Sequence, residues 1–139
     1  MTEIKKTLHE SEVSSFDIAR NETIVADIYV GFKGRESGII FDRTIGEQIV
    51  RGYCNDVGLC VSITYLDYIY TNGGEPGAKY TLINYPRFPS TKEEIKTHGI
   101  KLSMLLLCAY HQMRVTMICG DETVMVTDKT RLPQFKLSI

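Results

Sequence analysis

The segment Asn84-Tyr85-Pro86-Arg87-Phe88-Pro89-Ser90-Thr91 sets two aromatic rings and a guanidinium in a proline-stiffened loop that runs straight into a capped helix. A helix N-terminus presents unpaired backbone N–H groups and the positive end of the helix dipole, so it welcomes a phosphate. Arg87 adds a bidentate donor, and Tyr85 or Phe88 offers a face on which a nucleobase can stack. Stiffness in the loop lowers the ordering cost of binding. Together these are the parts of a nucleotide pocket. The same residues also have a purely structural explanation, with Tyr85 and Phe88 packed under the helix as a staple and Arg87 solvated.

Other residues add to this set without completing a catalytic motif. Arg114 opens a strand whose core-facing residues are Val115, Met117 and Cys119, so its own side chain points to the opposite face. His98 lies on the polar side of the long helix beside Gly99, a residue that allows close approach of another element. His9-Glu10-Ser11 has the form of half a two-histidine phosphoesterase signature, and its twin is absent. There is no Gly-x-Ser-x-Gly, His-Glu-x-x-His, P-loop or Gly-x-Gly-x-x-Gly pattern. Asp27, Asp42, Asp67 and Glu75 have no spacing that forces two carboxylates together as an acid and base pair. On this reading the chain is not an enzyme and carries no cofactor or metal.

The elements that must position these groups follow from patterning. Residues 23–32 are rich in β-branched and aromatic types and predict a strand. Thr44-x-x-Glu47 has the form of a capping box and opens a helix over 45–57, closed by Gly58. A strand over 59–70, turn chemistry over 71–77 and a strand over 79–85 predict a hairpin. Ser90-x-x-Glu93 and Thr91-x-x-Glu94 are overlapping capping boxes that start a long helix reaching about 112. Strands over 114–119 and 123–127 flank a Gly120-Asp121-Glu122 turn.

This order predicts an α+β domain, an antiparallel sheet with two helices packed on it in the ferredoxin-like order, with extra strands at both ends. Residues 1–21 and 128–139 read as arms of a single domain spanning 1–139. In the long helix Ile95, Leu102, Leu106 and Ala109 form one stripe, and Ile100, Met104 and Leu107 a second beside it. So wide an apolar surface predicts a homo-oligomer, a dimer or a hexamer.

Size and charge bound the rest. The chain has 139 residues, 43% hydrophobic and 24% charged, enough for one self-sufficient core. Sixteen basic against seventeen acidic residues leave a net charge of -1. Such a balance offers no broad surface for duplex nucleic acid, so an anion must be held by a few placed groups. Cys54, Cys60, Cys108 and Cys119 form no Cys-x-x-Cys pair and read as small buried hydrophobes in a reducing compartment. With no apolar leader and no membrane-length run, the expected location is the cytoplasm.

The Tyr85-Pro86-Arg87-Phe88-Pro89-Ser90 loop, the long helix and the strand beginning at Arg114 resemble the first of the phage Thoeris anti-defence families, over roughly residues 22 to 127. The resemblance implies a small oligomeric protein that sequesters signalling cyclic nucleotides without cleaving them, of the glycocyclic ADP-ribose type, with cyclic oligonucleotides at a second site. It implies a pocket between protomers in which Phe88 stacks on adenine, Arg114 and Arg35 (or Lys33) hold phosphate and ribose, and His98 takes the polar helix position, where the family is expected to carry asparagine. Two other classes stay open: a small ferredoxin-like nucleotide phosphodiesterase, and a non-catalytic oligomeric interaction module.

Overall fold

The computed structural model describes residues 14–130. Seven elements follow in chain order: β1 Val25–Gly31, α1 Arg43–Val57, β2 Val61–Tyr70, β3 Gly73–Ile83, α2 Lys92–Ala109, β4 Arg114–Cys119 and β5 Glu122–Thr127. The strands form one sheet in the order β2-β3-β1-β4-β5, with every neighbouring pair antiparallel. This is the expected α+β class in the ferredoxin-like order, with β5 added beside β4. The expected arms at 1–21 and 128–139 lie partly outside the described residues, as does His9, and no strand precedes β1 among those that are described.

Alternation decides which face of the sheet is covered. Ala26, Ile28 and Val30 of β1, Ala78, Tyr80 and Leu82 of β3, and Val115, Met117 and Cys119 of β4 are buried toward the helices. Ile95, Leu102, Leu106 and Leu107 of α2 close over them. Gly99 lets this helix settle close to the sheet, because a methyl there would overlap the Met117 sulfur. Within the two stripes read from the sequence, Leu107 is buried and Ile100 half-buried, whereas Met104 is 51% exposed.

Beyond shifts of one or two residues at strand ends, the structure departs from the sequence reading at three places. The cap of α1 is Asp42, whose Oδ1 accepts from the Thr44 N–H and hydroxyl, both at 2.9 Å, so Thr44 and Glu47 do not form the capping box. The β2–β3 turn is only Thr71-Asn72, with Tyr70 opposite Gly73 and Asn72 at φ 57°. Residues 73–77 belong to β3. Pro76 fits there because its backbone edge faces beyond the end of the β1 ladder, where its carbonyl accepts from the Phe32 N–H at 2.9 Å. For α2, Thr91 and Glu94 make the capping box, and the helix stops at Ala109 rather than 112. Two cysteines also depart from the expected burial: Cys119 is buried and Cys54 half-buried, but Cys60 and Cys108 are exposed, since they lie at the start of the edge strand and on the outer side of α2.

Candidate functional site

Within one chain the six residues singled out from the sequence do not converge. The β1–β3 register places Val25 opposite Ile83 and Gly31 opposite Gly77, so Tyr85, Arg87 and Phe88 follow one end of β1 and Arg35 the other. Tyr29 pairs with Thr116, which puts Arg114 at the Arg35 end as well. The two groups are thus separated by the length of β1, about 20 Å at 3.3 Å per residue. Arg114 is exposed on the face away from the helices, as alternation predicts. His98 faces inward between the helices, its Nδ1 2.7 Å from the Tyr53 hydroxyl.

The Tyr85 loop is anchored at its base and exposed at its tip. Asn84 is buried and ties the loop at two points, its Oδ1 accepting from the Ser90 N–H at 2.7 Å and its Nδ2 donating to the Glu22 carbonyl at 2.9 Å. The Tyr85 and Phe88 rings meet at 5.4 Å, and Phe88 remains 42% exposed. Arg87 is exposed. A hydrogen bond with Cys60, then burial, raises the Tyr85 phenol above its ordinary range.

A different cluster gathers charge and aromatic surface in the same place. Glu47 on α1 accepts a hydrogen bond from the Tyr65 hydroxyl on β2, and the Arg43 guanidinium lies 4.8 Å from the centre of the Tyr65 ring. Burial, with the bond to Glu47 next, pushes the Tyr65 pKa up to about 12, so the phenol stays protonated and donating at neutral pH. The Asp42 cap starts α1 so that Arg43 and Glu47, four residues apart, share one face of the helix toward Tyr65.

Two cavities share Tyr65 as a wall. One, of about 500 Å³, runs between α1 and β2 past Val50, Cys54, Leu59, Cys60 and Ile63, and its Cys60 end adjoins Tyr85. The other, of about 560 Å³, is bounded by Phe32, Phe41, Arg43, Asp67 and Pro76. Each falls in the usual range for a small-molecule site, roughly 300–1,000 Å³. Both walls are about half polar: Glu47, Arg51 and Asn55 line the first, and Asp42, Arg43 and Asp67 the second.

The sequence reading missed Arg43, Glu47 and Tyr65. Glu47 was absorbed into a capping-box pattern, and Tyr65 read as one position in an alternating strand. The available signal was Asp42, as good a cap as Thr44, which would have freed Glu47 for another partner.

Neither a protein-family model nor a curated protein matches the chain significantly. Solved structures do share its fold. A phage SAM lyase in its apo state superposes with TM-score 0.64 at 15% identity, covering 76% of this chain and 90% of that one. A phage SAM lyase in complex with S-methyl-5'-thioadenosine superposes with TM-score 0.67 at 13% identity, covering 81% of this chain and 95% of that one. These likenesses are of fold. They overturn the expectation of a non-enzymatic protein that sequesters cyclic nucleotides, because nearly the whole length of an enzyme aligns with the elements on which that reading rested.

Proposed function

We propose that this protein is an S-adenosylmethionine lyase, and, like its structural neighbours, a phage protein. What supports the reading is the Glu47–Tyr65–Arg43 cluster, standing between two cavities on a fold shared with phage SAM lyases. The substrate is a cation at sulfur and a zwitterion at its amino-acid end. A carboxylate beside an aromatic ring suits the sulfonium, and an arginine suits the substrate carboxylate. The adenosine takes the cavity along α1, where Val50, Leu59 and Ile63 offer apolar contact, and the amino-acid end takes the cavity bounded by Arg43 and Asp67.

The chemistry needs little from the protein. A carboxylate oxygen of the substrate attacks its own γ-carbon, forming a C–O bond. The electron pair of the sulfur–γ-carbon bond passes to sulfur, which leaves as the neutral thioether of S-methyl-5'-thioadenosine. The remaining four-carbon fragment departs as a five-membered lactone, and neither a proton nor water is consumed. Opposite charges merge in the transition state, so a site less polar than water speeds the step. Binding the flexible amino-acid chain in the folded-back geometry supplies the rest. This chemistry accounts for a chain without a nucleophile or acid and base motif.

Incubation with S-adenosylmethionine in H₂¹⁸O, followed by mass spectrometry, tests the reaction. The expected products are S-methyl-5'-thioadenosine and an initially unlabelled lactone. Recovery of intact substrate overturns the assignment; an unsaturated amino acid in place of the lactone overturns the ring-closure step. Self-association is proposed alongside it, because Met104 and Leu105 on α2 and Ile118 and Met125 on the sheet remain exposed. A monomer by light scattering at assay concentration refutes that part.

A further inference from the structure

Tyr110, the residue just after α2, is completely buried, yet its hydroxyl is spent on α1. It accepts from the Gly46 N–H at 2.8 Å and donates to the Asp42 carbonyl at 2.9 Å, with the Arg43 carbonyl at 3.2 Å. A single oxygen thus engages the first turn of α1 on both sides of Arg43 and one residue before Glu47. The ring of Tyr110 stacks on Phe32 at 4.4 Å and 19°, and Phe32 in turn meets the Tyr65 ring edge-on at 6.5 Å. Both halves of the cluster, the helix with Arg43 and Glu47 and the strand with Tyr65, are therefore referred to one side chain.

Tyr80 provides a built-in comparison. It is as buried as Tyr110, and its hydroxyl also lies against Gly46, but it makes no bond to the helix, and its polar neighbour is the Tyr110 hydroxyl. The missing side chain at Gly46 is what lets both oxygens approach, since a methyl there would overlap the Tyr80 hydroxyl and stand 3.0 Å from that of Tyr110. The two phenols press on the same helical turn, and only one of them is bonded to it.

We infer that Tyr110 is the positioning residue of the candidate site, holding the first turn of α1 and, through Phe32, the Tyr65 ring in the register that brings Arg43 and Glu47 onto Tyr65. The inference rests on the lyase reading for its kinetic consequence but not for its structural one. Removing the Tyr110 hydroxyl leaves the buried Gly46 N–H without its partner and takes one donor from the Asp42 carbonyl, which keeps the Ile45 N–H at 3.2 Å, at the point where the site side chains begin. Removing the Tyr80 hydroxyl takes away a contact with the Tyr110 oxygen but no bond to the helix, and leaves that turn in place.

Tyr110→Phe and Tyr80→Phe are compared in the full chain by S-adenosylmethionine cleavage, and by the ¹³Cζ resonance of labelled Tyr65 at neutral pH, which reports its bond to Glu47. In Tyr110→Phe, kcat is expected to fall by about tenfold, the equivalent of one lost buried hydrogen bond, with KM changing less and the Tyr65 resonance moving toward that of a free phenol. Tyr80→Phe is expected to keep both values. Gly46→Ala should lose activity and regain most of it when combined with Tyr80→Phe. Wild-type kcat and an unmoved Tyr65 resonance in Tyr110→Phe overturn the inference, as does an equal loss in Tyr80→Phe. If the wild-type protein fails to cleave the substrate, the lyase reading falls, and the resonance alone decides the role of Tyr110.

Discussion

Glu47 on α1 accepts the phenolic hydrogen of Tyr65 on β2, eighteen residues later in the chain, and so ties a helix to the edge strand of the sheet. On the proposed lyase reading, a carboxylate held this way keeps its remaining lone pairs for the sulfonium. Glu47→Gln preserves the shape and removes the charge, and is expected to lower kcat/KM for S-adenosylmethionine by about 10- to 100-fold, as for loss of a charged hydrogen-bonding partner. Tyr65→Phe retains the ring and should cost less. Steady-state rates at wild-type level in both variants would contradict the placement of the site.

Tyr68 supplies a pH dependence independent of catalysis. Its hydroxyl donates to the Ala78 carbonyl at 2.8 Å, and burial pushes its pKa from 10.0 up to about 12. The folded state thus keeps a proton that the unfolded chain has released. The stability this provides is fully present below pH 10 and is lost as the pH rises toward 12. Urea midpoints measured across that interval should fall, and the fall should be shallower in Tyr68→Phe. Parallel curves for the two proteins would rule out this contribution.

The close seating of α2 on the sheet makes Gly99 sensitive to a single added carbon. Gly99→Ala pushes a methyl into the Met117 sulfur, and the expected cost is about 1–3 kcal/mol, the usual range for overpacking. Chemical denaturation gives the value directly. Adding Met117→Val should recover part of the loss, because the two changes act on one contact.

Asn84 anchors the Tyr85 loop through both ends of its amide. Asn84→Ala leaves the Ser90 N–H and the Glu22 carbonyl without that partner and should destabilise the fold by about 1–3 kcal/mol. Limited proteolysis between Tyr85 and Pro89 is expected to quicken in the variant. Cleavage at the wild-type rate would show that the prolines alone hold the loop.

The fold was legible where local chemistry and tertiary packing agree. The β-branched run of β1, the Thr91 and Glu94 cap and the outward side chain of Arg114 follow from sequence because each depends on near neighbours. The glycines and proline at 73–77 misled because what admits Pro76 to a strand is the point at which another strand ends, and that is not a local property. The site was less legible for a related reason. Arg43, Glu47 and Tyr65 meet across two elements, and the one pattern that included Glu47 matched a capping function that Asp42 performs. Arg35 and the Tyr85 loop, brought together only by the family resemblance, stand at opposite ends of β1.

Strand order gives the two sides of this molecule different freedoms. β1 is laddered on both edges, to β3 and β4, and carries the core, whereas β2 is hydrogen-bonded to β3 alone and carries Tyr65. The wall of the cavities can therefore breathe by loosening one ladder while the centre of the sheet stays shut. A change confined to β2 therefore has one ladder to work against, where the same change at β1 has two.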